Sequence, residues 1–141
     1  AMVIPSLINR IVSGESPLVC WGDGTPIRDF IYAGDCAEGM IHLVENGVTE
    51  PVNLGSGDGV SIKQVAEAIR NSYNPEIGID WDITDKPMGD MKRIMDTTRA
   101  ESHGFKCSTS LQQGIEETLD WFLQNKELYK KRNNYFTKGQ G

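Results

Sequence analysis

The stretch WGDGTPIRDFIY, residues 21–32, places an arginine inside a strand-like run of Ile27, Phe30, Ile31 and Tyr32, just past a tight Gly-Asp-Gly turn. A buried, unpaired guanidinium is expensive. Arg28 therefore has to reach water, meet a carboxylate, or meet an anion that is not part of the chain. The segments 18–21 and 27–32 on either side of the turn read as two strands of a hairpin. Neighbouring strand residues point to opposite faces, so Asp29 is not placed to neutralise Arg28.

Outward from this stretch, the apolar period changes to that of helices. Ile4, Leu7, Ile8 and Ile11 share one helical face, with Pro5 in the first turn and Gly14 placed to end it. Three later starts fit the capping-box spacing: Asp35–Glu38, Ser61–Gln64 and Ser110–Gln113. The first predicts a helix from Cys36 to Asn46 that stops at Gly47, and the second buries Ile62, Val65, Ala66 and Ile69. The third aligns Leu111, Ile115, Leu119 and Phe122, with acids early and Lys126, Lys130 and Lys131 late, as the helix dipole prefers. Strands are expected at 51–54 and 77–82, and a short helix near 97–103 ends at Gly104. The reading is a mixed α/β domain over 1–130 with a loose tail over 131–141.

The bulk numbers exclude several functions. A net charge of −6 over 141 residues argues against nucleic-acid or membrane-surface binding, while leaving room for a local basic site. Cys20, Cys36 and Cys107 form no CxxC pair, which fits reduced thiols in a cytoplasmic protein. His42 and His103 lack ligand-spaced partners, so no metal is expected. No apolar run has membrane-spanning length and no signal-peptide pattern opens the chain. The abrupt apolar start, AMVIPSLINRIV, reads as if cut from something longer.

Catalytic groups are scarce. NLGSGDGVS, residues 53–61, sits where a phosphate loop would, but its spacing departs from GxGxxG, and no GxxxxGK[ST] occurs. Glu116 and Glu117 read as a solvated helix face. There is no nucleophile elbow and no Tyr-x-x-x-Lys pair. Arginines remain: Arg28, Arg93 in KPMGDMKRIMD beside Lys92, and Arg10 late in the first helix. A guanidinium fork matches a phosphate bidentately, and the competing reading is a set of surface ion pairs.

In order, VIPSLINRI, WGDGTPIRDFIYAGDCAEGMIHLVE, VNLGSGDGVSIKQVAEAI, KRIMDTTRAESHGF and SLQQGIEETLDWFL resemble the C-terminal half of the NAD(P)-dependent epimerase/dehydratase family, the extended short-chain dehydrogenases, and within it the GDP-L-fucose synthases. The resemblance implies a small mixed α/β C-terminal substrate-binding lobe without its Rossmann domain. That missing lobe would carry NAD or NADP and the catalytic Ser/Thr, Tyr and Lys, so this piece alone would hold neither cofactor nor catalytic residue. It further implies that Arg28 contacts a nucleotide-sugar diphosphate, that Trp21 lies by the nucleotide, that Arg10 reaches a phosphate or ribose, and that Arg93 lines the same cleft. The partners implied are a nucleotide diphosphate-sugar and the N-terminal Rossmann domain, with a homodimer allowed. Met2 and Met88 stand where fucose synthases commonly carry His and Asp, which leaves sugar and base open among epimerases, dehydratases and reductases. The alternative is a stand-alone, non-catalytic nucleotide-sugar binding or interaction domain.

Overall fold

The computed structural model describes residues 2–84 and 89–131. The tail from Arg132 onward and the Lys86–Met88 stretch, Met88 included, lie outside the described residues. Three helices make the core: α1 (Val3–Val12), α3 (Ile62–Tyr73) and α5 (Leu111–Gln124). Leu7, Ile8, Ile11, Val65, Ala66, Ile69, Ile115, Leu119 and Phe122 bury against one another, as their helical spacing predicts. Ser61 and Ser110 cap α3 and α5 through complete capping boxes, each serine accepting from the N3 amide while Gln64 or Gln113 reaches back. Gly14 and Gly47 take positive φ just past their helices, and Gly104 follows the five-residue α4 (Thr98–Ser102) in the same way. A short α6 (Lys126–Lys131) ends the described chain.

Two sheets lie on this core, and they overturn the hairpin. β1 (Leu18–Trp21) pairs in parallel with β4 (Ile79–Asp82), Trp21 opposite Asp82. β2 (Ile27–Asp29) belongs to the other sheet, between β3 (Gly59–Ser61), antiparallel, and β5 (Lys92–Arg93), parallel. The Gly-Asp-Gly turn thus transfers the chain between sheets. Gly22 N–H extends the β1–β4 ladder to the Asp82 carbonyl (2.8 Å), whereas the carbonyls of Gly24 and Pro26 accept from Lys63 and Ile62 at the start of α3 (2.9 and 3.0 Å). Gly24 has φ +77°, and a Cβ there would lie 2.6 Å from the Trp81 ring.

Two further expectations change. Helix α2 runs from Ala33 to Glu45, so Asp35 is inside its first turn. Its buried carboxylate accepts from the Thr109 amide (3.0 Å) and hydroxyl (2.8 Å), tying α2 to the approach of α5 rather than capping its own helix. Residues 51–54 form no strand: no described backbone group pairs with them as a ladder would.

Candidate functional site

The β2–β5 pair puts Arg28 and Arg93 directly in register. Paired residues on adjacent strands share a face, with Cα atoms about 4.8 Å apart. Like charges so placed repel unless something anionic lies between them. Arg28 is half-buried; its Nη1 donates to the Ile27 carbonyl (2.8 Å), and among the described residues no carboxylate ion-pairs with it. Gly89, at φ +66°, lies beside its other terminal nitrogen, where a Cβ would be 3.7 Å away. Arg93 is exposed and meets Asp90 at 2.8 Å, an ion pair that water screens heavily. Lys92, paired with Ile27, points to the opposite face of the sheet by strand alternation.

Asp29 points away from this pair, as strand alternation requires. Oδ1 accepts from the Ser56 amide (2.8 Å) and hydroxyl (2.6 Å), and Oδ2 from the Gly57 and Met95 amides (both 3.1 Å). Burial alone would raise its pKa, but these donors outweigh burial and hold the carboxyl below its usual range. The glycine-rich loop therefore spends its amides on an internal carboxylate, which explains its phosphate-loop appearance without an external anion.

The other expected site residues stand apart. Arg10 clasps Glu15 and donates to the Val19 carbonyl, while Glu15 accepts from the Val19 amide (3.0 Å). This pair satisfies the outer edge of β1, so Arg10 is committed to its own acid and does not join Arg28 and Arg93. Trp21, 72 % exposed at the end of β1, is in the other sheet. Glu116 and Glu117 are exposed on α5, as a solvated face would be, and the neighbouring Glu117 carboxylate holds the Tyr32 phenol above its ordinary pKa. A separate polar cleft of ≈640 Å³ is lined by Glu50, Pro51, Asn53, Asp96, Thr98, Arg99 and Ser102; none of the expected arginines lies in it. Sequence reading missed the roles of Ser56 and Gly89. Gly57, next to Ser56, and Gly89 itself, glycines that take positive φ, were the available signal.

Residues 1–55 match the model of the NAD dependent epimerase/dehydratase family. GDP-L-fucose synthase 1 of Arabidopsis thaliana is 35 % identical over 128 residues, covering 87 % of this chain and 39 % of that enzyme. The chain belongs to the NAD dependent epimerase/dehydratase family. Its fold agrees with family structures. A UDP-N-acetylglucosamine 4-epimerase from Methanobrevibacter ruminantium, solved with UDP-N-acetylmuramic acid, superposes with TM-score 0.77 at 30 % identity, over 89 % of this chain and 40 % of that one. A GDP-L-fucose synthetase from Naegleria fowleri bound to NADP gives TM-score 0.77 at 27 % identity, over 90 % and 41 %. The chain thus spans about two-fifths of the length of these family members, as a small mixed α/β lobe.

Proposed function

We propose that this chain is the substrate-binding lobe of a nucleotide-sugar epimerase, dehydratase or reductase, and that Arg28 and Arg93 grip the nucleotide diphosphate. The observation that carries the reading is the in-register guanidinium pair, in which Arg28 has no carboxylate partner among the described residues. Two cations on adjacent strands suit the oxygens of a pyrophosphate, and Arg28, held at Ile27 and beside Gly89, has its stem fixed before any ligand arrives. Trp21, exposed at the end of β1, would lie by the nucleotide; Arg10 carries no weight in the proposal, because Glu15 holds it.

In the whole enzyme NAD or NADP, bound by a Rossmann lobe, would supply the hydride exchange. The residues described here bind and orient. Binding energy gathered at the diphosphate, remote from the reacting carbon, fixes the sugar in place for that step. A nucleotide-sugar relative bound to UDP-N-acetylmuramic acid and relatives named for GDP-L-fucose synthesis support the diphosphate and leave the base open.

NMR titration of the chain with GDP, UDP and inorganic pyrophosphate tests the reading. Shifts should centre on residues 27–29 and 92–93, and Arg28→Ala should weaken binding by about 1.5–3 kcal/mol, the range for a hydrogen bond to a charged group. Equal affinities for wild type and variant would remove Arg28 from the site.

A further inference from the structure

We infer that Asp29 is a positioning residue that keeps Arg28 and Arg93 in register for an anion, an inference that rests on the arginine pair being the binding site. β5 is only two residues long, too short for side-chain patterning to fix its register on β2. Its alignment is bracketed instead. On one side the Ile27 amide donates to the Met91 carbonyl (2.8 Å), two residues before Arg93. On the other, Asp29 Oδ2 accepts from the Met95 amide (3.1 Å), two residues after it. The arginine pair lies between these two ties.

Asp29 also anchors the loop behind the sheet through Ser56 and Gly57. That junction has no slack: a Cβ on Gly55 would lie 2.6 Å from Met95 Cβ and 2.8 Å from Asp29 Oδ2. A Cβ on Gly59 would lie 2.4 Å from the Ile94 side chain. All four donors need acceptors, and a carboxylate supplies them from both oxygens. Asparagine has one acceptor oxygen and would turn its NH₂ toward waiting N–H groups. Asp29→Asn therefore preserves size while releasing half of the clamp.

The test uses the 141-residue chain, with GDP as the probe and hydrogen exchange at the Ile27 amide as a ligand-free measure of register. Asp29→Asn should remain folded by far-UV circular dichroism, bind GDP about tenfold more weakly, and exchange the Ile27 amide about tenfold faster, as loss of a charge-assisted hydrogen bond implies. In an Arg28→Ala background the same change should cost GDP binding clearly less than in wild type, because Asp29 acts through the arginine pair and only Arg93 is then left to misplace. A purely structural defect would instead lower affinity by the same factor in both backgrounds, and that result would overturn the inference. Unchanged GDP affinity in Asp29→Asn would do so as well. Should Asp29→Asn not fold, Ser56→Ala removes one donor and keeps the charge, and should show the same coupling to Arg28 at a smaller size. A wild-type chain that binds neither GDP nor pyrophosphate would defeat the arginine-pair reading, while Ile27 exchange still decides whether Asp29 holds the register.

Discussion

At the scale of single residues, Arg10 shows what a sequence can hide. Its position in the resemblance suggested a phosphate; its neighbours in space, Glu15 and Val19, turn it into a seal on the edge of β1. An exposed strand edge is a template for unwanted pairing, and a side-chain pair that fills both hydrogen-bonding positions of Val19 removes it. The Arg10 hydrogen bond holds the Glu15 carboxyl below its usual range. The unfolded chain therefore binds a proton at Glu15 at higher pH than the folded chain does. Its stabilising contribution is complete above the ordinary carboxylate range and is lost as pH falls through the folded value. Asp29 follows the same sign. Urea midpoints measured from pH 7 down to pH 3 should fall for wild type, and fall less for Glu15→Gln, which starts lower at pH 7. Parallel curves would mean that Glu15 titrates alike in both states. Arg28, by contrast, draws notice in the sequence itself, because a cation within an apolar strand is a conflict visible without coordinates; its role at a diphosphate is the proposal made above.

Secondary elements divide by how local their signals are. The two serine capping boxes are written within four consecutive residues, and both formed as read. Ser110→Ala should cost about 1 kcal/mol of unfolding free energy, seen as a lower denaturant midpoint at unchanged slope. Asp35–Glu38 has similar spacing, but Asp35 is buried and serves Thr109, 74 positions away. Asp35→Ala should therefore exceed the serine change, at about 1.5–3 kcal/mol, since it strands buried donors; a cost no greater than that of Ser110→Ala would return Asp35 to an ordinary helix-start role. Strands were harder to see. β3 and β5 are three and two residues long and take their identity from their partners. Residues 51–54 carry a strand's pattern and have no ladder to join. The hairpin failed for a related reason: the glycines of the turn mark a reversal, but which sheet the chain enters next depends on α3.

For the molecule as a whole, α2 presents two apolar faces. Gly39 and Leu43 face inward, while Ala33, Ala37, Met40, Ile41 and Val44 form an exposed stripe at helical spacing. The relatives it matches are a little over twice this length; in the reading proposed above, the second lobe is what would cover this stripe. The helix was readable from sequence; its second face became visible only once burial was known for each residue. Left uncovered, such a stripe favours self-association. Sedimentation of the chain should show concentration-dependent association that Val44→Lys suppresses, with the melting temperature unchanged because Val44 is 76 % exposed. Association that ignores Val44→Lys would place the contact elsewhere.

The clamp between Asp29 and Met95 joins positions 66 apart in the chain. Contacts of such separation bear a large loop-closure cost and form slowly, whereas the capped helices draw on near neighbours. The arginine pair should consequently be assembled late during refolding, after the helical core has gathered. A stopped-flow experiment would then register recovery of pyrophosphate binding behind recovery of helical signal.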